Sequence, residues 1–375
     1  MAGRKSGAVL VVGLSARALT LAARRAGLVP FAIDLFGDAD TRAFAAAYRQ
    51  VPGDGAGGFA PDALAGAAES LAHAAHETGH RLAGLIYASG FEAAPTTLAH
   101  LGKRWTLLGN TPEVLAKLKN PRAFAALCDD AGIPHPPPRF APAPGGQWLE
   151  KQIGGAGGGH IRAIPAGTGP RPGHYLQRRL SGRPVSALFV ANRRAAMPLF
   201  FSTQWPDPAP AAPFRYGGAV RPAAITPSVA ARLEGAIAAI TTAAGLVGLN
   251  SADFLLDGED WALLEVNPRP GATLDLAPRK ALAWHLASLR GRLPARRPAP
   301  RQAAAAAIFH APRQIRIDDT FPWPAWTMDR PAPGTDIAAG APFCSLRAQG
   351  HSAEAALARL AQRRKHLATH AEKAP

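Results

Sequence analysis

In the first hundred residues, apolar runs and polar breaks alternate with the rhythm of a βαβ unit. GAVLVV at 7–12 is an apolar run that ends at Gly13-Leu14-Ser15-Ala16-Arg17. Residues 18–26 follow a helical pattern, and LVPFAIDL at 28–35 reads as a second buried strand. A helix over about 61–78 and a strand over 82–88 come next, with a loop at Ser89-Gly90. Strands that alternate with helices predict a small, mostly parallel α/β unit up to about residue 105.

From Asn110 the texture changes. Thr111-Pro112-Glu113 is a helix start, with a capping hydroxyl, a proline in the first turn and an acid near the positive end of the dipole. A second helix over about 121–131 stops at Gly132, and the chain then runs extended through Pro134–Pro138. Short β-like runs separated by glycine turns follow: WLEKQIGGAGGGHIRAI, then HYLQRRLSGRPVSALFVANRR. A helix over about 228–244 precedes a strand at 253–256, a turn at Asp257-Gly258-Glu259-Asp260 and a strand at 261–266. RGRLPARRPAPR at 290–301, with five arginines and three prolines, reads as a linker or a strap over the surface. Residues 304–375 predict the strands AAIFHA and FCSLRA and one terminal helix over 352–369.

Composition narrows the classes. A chain of 375 residues holds two or three domains of roughly 100–200 residues each, and 47% hydrophobic residues exclude wholesale disorder. No run approaches the roughly 18 apolar residues of a membrane helix, and the opening MAGRKSGAVLVVGLS leads into a strand pattern rather than a signal peptide. With only Cys128 and Cys344, a disulfide framework or cysteine zinc site is excluded, which suits a reducing cytoplasm. Lys+Arg 42 against Asp+Glu 26 gives +16, a balance that fits nucleic-acid binding. Only eight of those cations are lysines, however, and an Arg-, Ala-, Gly- and Pro-heavy chain fits base-composition drift equally well.

Two motif matches are weak. Gly13-x-Ser15-x-x-Ala18, with Asp34 ending the next strand, echoes a dinucleotide fingerprint but has Ser and Ala in place of its second and third glycines. A glycine turn in an α/β unit explains it better. His76-Glu77-Thr78-Gly79-His80 matches H-E-x-x-H, yet zinc binding needs both imidazoles on one continuous helix. Gly79 falls where the helix ends, so no metal is assigned there.

Two features carry chemistry. Lys151 precedes Gly154-Gly155-Ala156-Gly157-Gly158-Gly159, a glycine hairpin whose exposed N–H groups can wrap a polyphosphate. It is not a Walker loop, because no Gly-Lys-Ser/Thr follows it. Asp253, Glu265 and Asn267 form a hard-oxygen set. Residues 265 and 267 share one face of a strand, and the turn at 257–260 folds Asp253 back beside Glu265. Carboxylate, carboxylate and amide oxygens suit Mg²⁺, with Arg269 placed to steady an anionic intermediate.

Together these residues resemble the ATP-grasp superfamily. The segments that carry the resemblance are Ala252-Asp253-Phe254-Leu255-Leu256 and Leu264-Glu265-Val266-Asn267-Pro268-Arg269-Pro270-Gly271, preceded by Trp148-Leu149-Glu150-Lys151 and its glycine loop. The resemblance implies an α/β (α+β) chain with the ATP-grasp fold. Its parts would be a Rossmann-like domain at 1–105, an ATP-grasp domain at 106–285 with a glycine-loop subdomain at about 140–180, an Arg/Pro-rich linker at 286–303, and a small β-rich region with a terminal helix at 304–375. It implies ATP and Mg²⁺ or Mn²⁺ as cofactors, with Asp253, Glu265 and Asn267 on the metal. Lys151 would contact the phosphates, Gly155, Gly157, Gly158 and Gly159 would close over them, and Gln177, Arg178, Arg179 and Leu180 would form the adenine hinge. A second ATP lysine would be Lys119 or Lys117. Arg178 stands where the family commonly has an acid, which bears on the ribose contact.

The implied reaction is ligation of an anionic small-molecule carboxylate to an amine through an acyl phosphate, with Arg269 and Lys151 as the catalytic residues. The pattern looks nearest to carboligase-like members linked to methanopterin or methylofuran coenzyme biosynthesis. A carboxylase using biotin fits less well, since no Met-Lys carrier motif occurs in this chain. An ATP-binding protein without ligase chemistry and an Arg-rich nucleic-acid binder are the competing readings. The expected partners are small molecules, with no specific nucleic acid and no membrane, and homodimerisation is left open.

Overall fold

The structure is a computed structural model that describes residues 7–373; the start of the expected N-terminal unit, residues 1–6, lies outside the described residues, as do 374–375. Ala8–Val12 (β1), Val29–Asp34 (β2), Ala47–Gln50 (β3) and Leu82–Tyr87 (β4) form a parallel sheet in the order β3-β2-β1-β4. The fully buried run AVLVV explains β1, because a central parallel strand is covered on both faces. One cover is Pro61–Glu77 (α2), through Leu64, Ala68 and Leu71. Arg17–Arg25 (α1) puts Leu19 and Ala23 on the opposite side. Helix α2 stops at Glu77 and Gly79 follows at φ +72°, so His76 and His80 do not share a helix. The Asp34 carboxylate accepts from the Ala16 and Gly37 N–H groups and the Tyr48 hydroxyl, and so braces the glycine turn.

Pro112–Lys119 (α3) and Pro121–Asp130 (α4) lead into a small antiparallel sheet. Its members are Pro138–Arg139, Trp148–Gln152 (β5), Arg162–Ile164 (β6) and His174–Arg178 (β7). The glycine run is the connection of the β5–β6 hairpin.

The third sheet has eight antiparallel strands. They are Arg183–Asn192 (β8), Ala196–Pro206 (β9), Tyr216–Arg221 (β10), Val247–Asp257 (β11), Asp260–Asn267 (β12), Ala303–His310 (β13), Thr327–Met328 (β14) and Pro342–Gly350 (β15), in the order β12-β11-β8-β9-β10-β13-β15-β14. Strand β8 shows why both faces are covered. Val185, Ala187, Phe189 and Ala191 pack under Pro227–Ala244 (α5), while Leu188 and Val190 face the N-terminal unit and Ala281–Ser288 (α6). Strands β13 and β15 extend this same sheet, and Ala353–Lys373 (α7) covers them through Ala356, Leu360 and Leu367. The arginine-proline segment is a strap: Arg297 donates to the Pro198 carbonyl and pairs with Glu234. No helix among the described residues is long and apolar enough to cross a membrane.

Candidate functional site

The β11–β12 hairpin sets the carboxylates. Asp253 lies directly opposite Glu265 and Ser251 opposite Asn267. A bulge between Asp253 and Phe254 shifts the register beside them, a distortion that re-aims side chains. Phe254 and Val266 turn into the core under α5, which sends Asp253, Glu265 and Asn267 to the opposite face.

Helix α3 delivers a cation to this face. Thr111 accepts from the Val114 N–H at its start, and Asn120 both ends it and caps α4 through the Arg122 and Ala123 N–H groups. Lys119 is therefore the last residue of α3, and its buried ammonium pairs with Glu265 and donates to Asn267 Oδ1 at 2.7 Å. Lys117 points elsewhere, to the Ala243 carbonyl at 3.4 Å.

The site's electrostatics follow from burial and neighbours. Burial favours the neutral form of Glu265, but Lys119, with Lys151 and His160 behind it, holds the carboxyl below its ordinary range. Asp253 goes the other way, up to about 6, through burial and then the charge of Glu265. Its Oδ2 accepts from Asn267 Nδ2 at 3.1 Å, and its buried Oδ1, near the Ser186 hydroxyl, has no well-formed hydrogen bond among the described residues. Such an orphaned anionic oxygen beside a second carboxylate and an amide is a donor set that a hard divalent cation satisfies. Among the described residues there is no group of three or more His, Cys, Asp or Glu that could hold a metal ion.

The glycine hairpin brings the second lysine. Lys151 Nζ donates to Gln177 Oε1 at 2.6 Å, and Gln177 donates in turn to the Pro136 carbonyl. Burial pulls Lys151 below the usual lysine range, while Glu265 and Asp253 draw it back. At the root of the hairpin, Arg162 and Arg171 overcome the cost of burying Glu150 and hold it at about 2. Its tip touches other parts of the chain. A side chain at Gly154 (φ +75°) would collide with the Glu92 carbonyl, and one at Gly158 (φ +76°) with the Phe214 carbonyl. Gly155 lies against the ring of His160, which burial pushes down to about 4. Gly157 accepts at its carbonyl from the Tyr216 N–H, and Gly159 is exposed. Of the hinge residues, Gln177 is buried, while Arg178, Arg179 and Leu180 are exposed; the Arg179 N–H bonds the Gln147 carbonyl.

Arg269 has an acidic partner that the sequence did not mark. Its buried guanidinium pairs with Glu92, donating from Nε at 2.7 Å, and its Nη2 reaches Asn267 Oδ1 at 3.3 Å. Glu92 also accepts from the Gly90 and Phe91 N–H groups; burial pushes its carboxyl up, but Arg269, Lys119 and the backbone N–H groups together hold it below the usual range. Sequence reasoning missed Glu92, because nothing near Ser89-Gly90 marks an acid for a partner 177 residues away. It also missed Asn110, whose amide donates to Val247, Asn250 and Pro268 and accepts from the Val247 N–H. Arg215 and Arg221, which lie between hinge and hairpin in sequence, are tied to Asp207 and to the Leu276 and Gln302 carbonyls.

Beside the carboxylate face lies a recess of about 260 Å³, where the carboxyl ends of β1 and β4 meet the turn after Arg269. Leu14, Ser89, Gly271 and Tyr216 line it, and Arg17, held by Asp275 and Asp329, forms one wall.

The chain has the ATP-grasp fold, and residues 122–273 match the family profile described as an ATP-grasp domain. The biotin carboxylase domain of Hydrogenobacter thermophilus 2-oxoglutarate carboxylase is similar at a TM-score of 0.71 and 12% identity, over 94% of this chain and 88% of that one. N5-carboxyaminoimidazole ribonucleotide synthetase from Thermus thermophilus is similar at 0.67 and 17% identity, over 94% and 98%. Campylobacter jejuni biotin carboxylase is similar at 0.70 and 13%, over 94% and 89%. Among curated proteins, none matches the chain.

Proposed function

We propose that the chain is an ATP-dependent carboxylate–amine ligase that forms ADP. The observation that carries this reading is the meeting of Lys119, Asp253, Glu265 and Asn267 with the Lys151 glycine hairpin beside the recess at Gly271. Asp253, Glu265 and Asn267 would hold Mg²⁺ or Mn²⁺, which supplies charge neutralisation at the transferring phosphoryl group. Solved structures of similar fold include one bound to MgADP.

The chain's own residues supply alignment and charge. Lys151, Gly155, Gly157, Gly158 and Gly159 hold the phosphates, and Gln177–Leu180 flank the base. A substrate carboxylate oxygen bonds to the γ-phosphorus as the bond to ADP breaks. An amine nitrogen then bonds to the acyl carbon, phosphate leaves, and the nitrogen loses a proton. Lys119 orients Glu265 and Asn267, and Arg269, braced by Glu92, fixes the backbone turn that borders the recess. An amino acid or a coenzyme precursor of the methanopterin or methylofuran kind is the substrate class this reading favours. ADP release from ATP and Mg²⁺ is the test, measured across carboxylate and amine pairs. Release that never depends on an acceptor overturns ligation.

A further inference from the structure

A second recess, of about 630 Å³, opens on the other side of Arg17, between α1, β14, β15 and α7. Five arginines line it against one carboxylate, Asp40. Two of the five are neutralised: Arg17 pairs with Asp275 and Asp329, and Arg330 grips both oxygens of Asp40. Arg347, Arg359 and Arg363 have no carboxylate partner among the described residues. The Arg347 guanidinium meets the Met328 sulfur, at 3.8 Å, and Arg363 donates to the Arg347 carbonyl and lies 5.3 Å over the Trp326 ring.

This arrangement costs the fold something. Arg359 and Arg363 are one turn apart on α7, where like charges repel, and both face the strand that carries Arg347. The repulsion reaches further: besides burial, Arg347 depresses Arg25 and Arg221, and Arg359 depresses Arg363. Arginines placed by composition alone would spread into solvent. These three converge on a concave wall beside an indole, with planar guanidinium forks suited to phosphate or carboxylate oxygens. The two recesses also share a wall and a floor. Arg17 lines both, and Ser345 and Arg347, two apart on β15, line the inner and outer one respectively.

We propose that Arg347, Arg359 and Arg363 form an anion subsite for a multiply charged group, a phosphate ester or a run of carboxylates, on the substrate whose reactive end occupies the inner recess. Only the last part, what the anion is attached to, rests on the ligase reading.

The test is calorimetric titration of the full chain at saturating MgADP with two probes, inorganic phosphate and triglutamate. Arg359→Glu/Arg363→Glu and, separately, Arg347→Gln on the strand should each weaken binding about 10-fold or more. Arg194→Glu/Arg290→Glu, a charge-matched change elsewhere on the surface, should leave it unchanged. Tighter binding of phosphate identifies a phosphate ester, and tighter binding of triglutamate a polycarboxylate. The subsite is overturned if the wild type binds neither probe, if the Arg359/Arg363 and Arg347 variants bind as well as wild type, or if the control pair loses binding equally. MgADP affinity of Glu265→Gln is measured separately. If it equals wild type, the nucleotide reading fails while the anion subsite stands on its own data.

Discussion

Two hairpins meet at the cleft, and they are built by opposite rules. The carboxylate hairpin, β11–β12, is paired from Ser251–Asn267 down to its turn at Asp257–Asp260, and β8 pairs along the other edge of β11. Asp253, Glu265 and Asn267 cannot move without breaking a sheet. The glycine hairpin, β5–β6, is paired only from Trp148–Ile164 to Glu150–Arg162, and the residues beyond have positive φ at Gly154, Gly157 and Gly158. Its tip is placed by backbone contacts with Glu92, Phe214 and Tyr216 rather than by its own ladder. On the proposed reading the difference suits two jobs: a fixed bed for a metal, where preorganisation matters most, and an adaptable cover for phosphates.

Four changes test that division. Glu265→Gln strikes the fixed bed and should lower the ADP-release rate on the order of 10²–10³-fold at unchanged fold, the usual worth of one group aimed at developing charge. Glu92→Gln acts where both hairpins meet the N-terminal unit. It leaves the buried Arg269 without its carboxylate and should cost about 3 kcal/mol in urea unfolding; a loss below about 0.5 kcal/mol would mean the bridge holds nothing. Gly158→Ala acts on the cover alone and should raise the KM for ATP about 10-fold, since an alanine at that φ is strained and meets the Phe214 carbonyl. If it slows catalysis as much as Glu265→Gln, the two hairpins are not separable.

The smallest effect probes how the bed is anchored. His285 Nδ1 accepts from the Leu249 N–H of β11 and Nε2 donates to the Leu108 carbonyl, while burial pushes the ring down to about 4. Because the folded value lies below the unfolded value of about 6.5, the unfolded chain binds more protons as pH falls between them, and stability drops. The contribution is fully present above about 6.5 and is lost toward 4; from pH 7.5 to 5.5 it amounts to about 1 kcal/mol. His285→Asn should flatten that part of the pH–Tm curve. A curve identical to wild type removes the anchor.

The periodicity of AVLVV, the cap at Thr111, the stop at Gly79 and the two-residue spacing of Glu265 and Asn267 were all legible along the chain. Each rests on local geometry: side-chain alternation in strands, orphan donors at helix ends, and the conformations open to glycine. The facing of Asp253 and Glu265 was legible too, because a four-residue turn joins their strands.

What the chain alone left open involved partners distant in sequence. Lys119 and Lys117 are both in the last turn of one helix, and only the packing of α3 against β12 sends the first to Glu265 and the second to Ala243. The spacing gave Arg269 no partner, and Glu92, from the loop after β4, supplies one. Likewise +16 is a sum, and a sum has no location. Tertiary structure places Arg347, Arg359 and Arg363 around one recess, without a carboxylate partner among the described residues. Charge acts through distance, and distance between residues far apart in sequence is set by folding.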